Sequence, residues 1–234
     1  MSVKINSNRG VIKFSTRALW GVVIVLAIIG IAAAVRRALY LTGLVEPFVN
    51  PEFGAFDAGF AQYSVLTWLH IVPGFLFVVL GPLQFIRRIR SRNIRLHRWS
   101  GRVFVAAGVV IGVTALIMSY LMSIGGANAA AATTFFASVF LFALGKAFLH
   151  IRRHEIIQHR EWMIRAFAIG LAIATVRPIV GMFFALTDLS PQEFFGIAFW
   201  VGFTSHLVVA EVWINHTRPK VKEAKLKLSI EEML

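Results

Sequence analysis

Three ionisable side chains fall inside long apolar stretches of the sequence: His70, Arg177 and His206. A polar group surrounded by hydrocarbon is costly, so each is a site candidate until packing explains it. His70 shares a helical face with Gly74, Phe77, Gly81 and Gln84, at i+4, i+7, i+11 and i+14. That face is expected to point into a bundle, with small residues for close approach. An intramembrane histidine suits axial ligation of haem, binding of another metal, or proton relay. The alternative is a ring bonded to a neighbouring carbonyl or hydroxyl. His206, with Gly202 one turn earlier and Ser205 beside it, is a candidate of the same kind. At the helical rise, His70 lies roughly 9 Å and His206 roughly 18 Å below the outer ends of their expected spans. Tilt could close that gap, so both residues are candidate metal ligands, as a bis-histidine pair around haem b.

Arg177 is the most unusual of the three. Pro178 follows it, and Gly170, Ala174 and Gly181 share its face. An unpaired arginine at such a depth costs at least ~2.5–3.5 kcal/mol, so it needs an acceptor. The candidates are Asp188, carbonyls freed by Pro178, carboxylates of an outer loop, or an anionic ligand such as a haem propionate or a quinone oxygen. Snorkelling to the surface is the alternative.

A second group of candidates recurs in two copies. His97-Arg98-Trp99 with Arg102 follows Gly81 and Arg87-Arg88; His159-Arg160 with Trp162 and Arg165 follows Gly145 and Arg152-Arg153. The match predicts a duplicated helical hairpin, in parallel orientation about an axis along the membrane normal. For Arg87, Arg88, Arg98, Trp99, Arg102, Arg160 and Trp162 the expected role is interfacial: tryptophan as headgroup anchor, arginine on anionic lipid phosphate. For His97 and His159 two readings stay open, an interfacial helix opening or a shared cofactor or headgroup site. Lys146 and Glu211 are expected to pair, and His154 and His216 to be solvated.

These residues need membrane-length helices to hold them. The 234-residue chain is 58% hydrophobic, and about 20 apolar residues cross a bilayer. Six segments qualify: 18–35, 63–86, 103–122, 131–149, 162–186 and 194–214. The first is too long, and too poorly followed by small residues, for a cleaved signal, and is read as a retained span. All but three of the 24 Lys and Arg residues (Arg36, Arg37 and Arg177) fall on one side of this arrangement. The positive-inside rule makes that side cytoplasmic, with both termini. The net charge of +13 therefore addresses anionic lipid, not nucleic acid. The absence of cysteine excludes disulfides, thiolate metal sites and covalent c-type haem. Gly108-x-x-x-Gly112 is read as a close-packing face. The outer segment 38–62 is expected to break into turns at Glu46-Pro47, Asn50-Pro51 and Phe53-Gly54, and the tail after residue 218 to be amphipathic or solvated. The organisation is thus 1–62 (tail, first span, outer loop), 63–214 (five-helix core with the repeat) and 215–234 (basic tail). The fold class is an all-α bundle of six spans, with a four-helix core from two hairpins.

At His70-x-x-Pro73-Gly74, Gly81-Pro82-Leu83-Gln84-Phe85, His97-Arg98-Trp99-x-Gly101-Arg102 and His159-Arg160-x-Trp162-Met163-x-Arg165 the chain resembles bacterial membrane proteins catalogued as domain-of-unknown-function family 2306. The resemblance spans the second to sixth helices. It implies a multi-helix protein of the bacterial inner membrane and supplies no activity. No phosphate loop, dinucleotide fingerprint, HExxH or GxSxG occurs. The residues alone suggest haem b-linked electron transfer, with a quinone or another membrane subunit as partner. The alternatives are a small transporter or channel along His70, Arg177 and His206, or an accessory, lipid-binding subunit.

Overall fold

The structure, a computed structural model, describes residues 16–49, 51–122 and 125–218. These residues form eight helices: α1 (Thr16–Leu41), α2 (Pro51–Gln62), α3 (Ser64–Phe85), α4 (Arg87–Arg92), α5 (Ile94–Leu121), α6 (Gly126–Arg152), α7 (Ile156–Leu186) and α8 (Pro191–Thr217). Six of them, α1, α3, α5, α6, α7 and α8, are long and apolar enough to cross a membrane. All six expected spans are present, and most are longer than their apolar stretch. The backbone must stay hydrogen-bonded through the hydrocarbon, and nothing forces a helix to stop where polarity begins. Thus α5 starts at Ile94, well before 103, because Asn93 caps it by accepting from the Leu96 N–H at 3.1 Å.

The outer segment departs from expectation. α1 continues to Leu41, and the stretch read as turns contains α2. Pro51 opens α2 at the first helical position, where proline's missing N–H costs nothing. Gly54 lies inside the helix instead of ending it. α2 is tied to the bundle by Phe56, stacked on Phe195 of α8 at 4.7 Å between ring centres, and by the Thr67 hydroxyl of α3, which donates to the Phe60 carbonyl at 2.8 Å.

The four helices of the expected hairpins, α3, α5, α6 and α7, surround one core that includes Phe77, Phe104, Phe140, Leu144 and Phe167. Phe77 stacks on Phe104 at 4.2 Å and meets the edge of Phe140 at 5.6 Å. α1 packs on α3 and α7, and α8 on α6 and α7. α7 is therefore the central helix. Its approach to α3 depends on two glycines. A Cβ on Gly170 would lie 2.4 Å from the Phe77 ring, and one on Gly81 would lie 2.2 Å from the Phe167 ring. The Gly108–Gly112 face packs closely on Leu144 and Leu141 of α6, as its spacing predicts. Valines and isoleucines of α1 and the outer faces of the other helices remain exposed, which in a bilayer is where lipid contacts them.

A cationic cluster at the α2 end of the bundle

The register between α3 and α7 carries the site. The two helices run antiparallel, and Phe77 meets Gly170. Two turns from that contact, towards the end that carries α2, α3 presents His70 and α7 presents Arg177. The positive charge of Arg177 acts on His70, and that of Arg37, from α1, acts on Arg177. Counted from Ser64, Leu186 and Leu41, the helical rise puts His70 roughly 9 Å, Arg177 roughly 14 Å and Arg37 roughly 6 Å below this end. Three helices thus bring a histidine and two guanidiniums together inside the membrane-length part of the bundle.

Among the described residues one buried carboxylate lies at this end. Asp57 of α2 is fully buried and receives Arg36 in a bidentate pair, Nη1 to Oδ1 at 3.0 Å and Nη2 to Oδ2 at 2.7 Å. Arg37 Nη1 donates to the same Oδ1, and the Phe48 N–H donates to Oδ2 at 3.1 Å. Both guanidiniums are also stacked: Arg36 lies 3.4 Å from the centre of the Phe48 ring and Arg37 lies 4.0 Å from that of Phe60. Burial pushes the Asp57 carboxyl up. The hydrogen bond from Arg36, the charge of Arg37 and the Phe48 N–H outweigh burial and hold it below the usual carboxylate range. Arg36 and Arg37, exceptions to the charge pattern in the sequence, are therefore paired. Arg177 is not: among the described residues it makes no ion pair or hydrogen bond, and it is exposed beside the equally exposed Ile173, Pro178, Gly181 and Met182. Asp188, a candidate partner in the sequence, is exposed and makes no ion pair with it.

The two membrane histidines occupy different settings. His70 Nδ1 lies 2.9 Å from Thr114 Oγ1 of α5. His206 Nε2 lies 2.8 Å from Thr175 Oγ1 of α7. Because α8 begins at Pro191, His206 sits roughly 22 Å below the α2 end, against roughly 9 Å for His70. α3 packs mainly on α5 and α1, and α8 on α7 and α6, so the two rings belong to separate interfaces. Among the described residues no group of three or more His, Asp or Glu is placed to hold a metal ion.

At the opposite, arginine-rich end the duplicated motif is brought together but not treated alike. His97 and His159 are electrostatic neighbours, and Arg90 also acts on His97. His159 Nδ1 donates to the Ala147 carbonyl at 2.9 Å, whereas His97 Nδ1 is buried and has no partner among the described residues. In the first copy Arg98, Trp99 and Arg102 are exposed, as are Arg87 and Arg88, the setting an interfacial anchor requires. In the second copy α8 covers the motif. Arg160 Nη2 donates to Thr217 Oγ1 at 2.7 Å, and Trp162 packs edge-on against Phe142. Arg165 pairs with Glu211, Nη2 to Oε2 at 3.0 Å. The expected Lys146–Glu211 pair is thus replaced. Lys146 on α6 lies over the Trp162 ring, while Arg165 on α7 faces α8 directly. Arg218 forks onto Glu161 at 2.7 and 2.8 Å, which raises the Arg218 pKa further. His154 and His216 are exposed, as expected. The tail from 219 onward lies outside the described residues.

Sequence reasoning missed Asp57, Thr114 and Thr175. Asp57 had one signal: a pair of arginines inside a helix requires a counter-charge, and the nearby outer segment offers few acids. For the two threonines there was no signal, since hydroxyls are common in spans.

Six membrane-length helices around a shared aromatic core define a multi-pass helical membrane protein. The chain belongs to the family described as "Predicted membrane protein (DUF2306)", which matches residues 67–214. That stretch takes in His70, Thr114, Arg177 and His206 and leaves Arg36, Arg37 and Asp57 outside it. No curated protein and no solved structure matches the chain.

Proposed function

We propose that this membrane protein binds a lipid-soluble ligand carrying an anionic or electron-rich oxygen, held at Arg177 beside His70. One observation carries the reading: among the described residues Arg177 makes no ion pair or hydrogen bond, and Asp57, the buried carboxylate at this end, is already committed to Arg36 and Arg37. A guanidinium at this depth without an acceptor is unfavourable, and a ligand oxygen would relieve it. Its exposed neighbours on α7 are apolar or glycine, which favours a ligand that arrives through lipid over one from water.

The test uses purified protein in detergent. A decyl-substituted 1,4-benzoquinone or decanoate is expected to raise the thermal midpoint, and Arg177→Ala is expected to weaken binding ten-fold to a hundred-fold. That is the equivalent of the ~1.5–3 kcal/mol typical of a hydrogen bond to a charged group. Equal affinity in wild type and Arg177→Ala would mean that Arg177 only snorkels, and the proposal would fail.

Electron transfer through a b-type haem is a second reading. The observation in its favour is that the Thr114 bond engages His70 Nδ1, an arrangement that orients Nε2 towards a metal. With His206 as second ligand, that ring would have to leave Thr175 and cross the depth difference. A Soret band in the purified protein, lost in His70→Ala, supports haem; a featureless spectrum after expression with ample haem removes it.

The charge pattern orients the molecule in this proposal, with the arginine-rich end cytoplasmic. Because the chain has no cysteine, single replacements report cleanly. An impermeant maleimide on intact cells is expected to label Gln62→Cys and spare Ser91→Cys; the reverse pattern would invert the orientation.

A further inference from the structure

The hydrogens around His70 define what the ligand head must offer; this step rests on the binding reading of the same site. The Thr114 hydroxyl reaches three groups: the Val110 carbonyl at 2.7 Å, the Ile111 carbonyl at 3.1 Å and His70 Nδ1 at 2.9 Å. A hydroxyl has one hydrogen, and assigning it to the shortest contact, the Val110 carbonyl, leaves lone pairs towards His70 Nδ1. With that assignment Nδ1 of the neutral ring carries the hydrogen and Nε2 is a bare acceptor. Among the described residues Nε2 makes no hydrogen bond, yet it is not sealed from contact, unlike His97 Nδ1. On α7, at the level of His70 by the Phe77–Gly170 register, stands Arg177, a group with five N–H donors and no acceptor. A head that satisfies both must donate one hydrogen and accept others. An ionised carboxylate has no hydrogen for Nε2, and a plain quinone has none either.

We propose that the site recognises a quinol-type head: an aromatic hydroxyl donates to His70 Nε2 while an oxygen of the same ring system accepts from Arg177. His70 Nε2 would then be the atom positioned to hold the hydroxyl proton, and Thr114 is a positioning residue that fixes the tautomer. The lateral exposure of Arg177 beside Ile173, Pro178 and Met182 fits a ligand whose remainder is apolar.

Three probes separate the possibilities in anaerobic calorimetric titrations of the whole protein in detergent: a decyl-substituted 1,4-benzoquinol, its dimethyl ether and the corresponding benzoquinone. The quinol is expected to bind wild type about ten-fold more tightly than the ether or the quinone, the effect of one hydrogen bond to a group otherwise left unpaired. In Thr114→Val that ratio is expected to fall towards one, because the tautomer is no longer held. In Arg177→Ala all three probes should weaken with the ratio retained. Equal binding of quinol and ether by wild type overturns the quinol assignment. If Arg177→Ala still weakens both, the oxygen-binding site stands without it; if no probe binds wild type, the site itself falls.

Discussion

Asp57→Ala is expected to cost about 3–5 kcal/mol and to release α2 from the bundle. Removing one partner of a buried ion pair leaves the other charge unpaired, and that loss is far larger than the net worth of the pair. Here two charges are stranded, since Arg36 and Arg37 both depend on a carboxylate with no exposed surface. The Phe48 N–H loses its acceptor as well. Denaturant unfolding in detergent measures the cost, and protease sensitivity of 44–62 reports the release of α2. The effect should be specific to the charge imbalance: Asp57→Leu combined with Arg36→Met and Arg37→Leu is expected to recover most of the stability. A pH series gives the same answer by another route. The folded-state pKa of Asp57 lies below its ordinary value of 3.8, so its contribution is complete above that value and is lost as pH falls through the lowered one. α2 is therefore expected to stay docked from pH 7 to about 4 and to detach below it. Early detachment near pH 5, or an Asp57→Ala protein as stable as wild type, would contradict the clamp.

Phe77→Ala is expected to cost about 3 kcal/mol, near the lower end for buried aromatic truncations. Phe77 is 1% exposed and touches the rings of Phe104 and Phe140. Lipid tails are as apolar as the core, so the transfer part of the penalty shrinks in a membrane protein. The lost dispersion contacts and the cavity remain. Phe75, on the lipid-facing side of the same helix and 38% exposed, provides the control, with a change of about 0.5 kcal/mol or less. Gly170→Leu should destabilise wild type, because its Cβ meets the Phe77 ring. It should restore part of the loss in Phe77→Ala, where it fills the vacated space. Additive effects of the two replacements would mean that the rings are not packed as described.

The features legible in the sequence are those set by solvent. Apolar length predicts the six spans, because hydrocarbon thickness fixes it. The inward face of α3 is readable because buried positions recur with the helical period: Phe77, Gly81 and Gln84 are buried as that pattern requires. What escaped is non-local. PEFGAFDAGFAQ carries proline and glycine, turn formers in isolation, and becomes α2 in a context where Asp57 meets two arginines from another helix. The partner of Glu211 depended on which face of α7 meets α8, which local periodicity does not encode. The difference between His70 and His206 is subtler still. Both are histidines in spans beside small residues, yet Thr114 of α5 meets Nδ1 of His70, whereas Thr175 of α7 meets Nε2 of His206. No spacing rule carries that information.

The central claim, a ligand oxygen held at Arg177 beside His70, is tested most directly by photo-crosslinking. An azido-substituted decyl-quinol would be photolysed with the protein in lipid vesicles, and the labelled peptides identified by mass spectrometry. Labelling is expected on α3 around His70 and on α7 between Ile173 and Met182, suppressed by excess unlabelled quinol and lost in Arg177→Ala. Labelling spread over the lipid-facing surfaces, or unchanged when Arg177 is replaced, would contradict that claim.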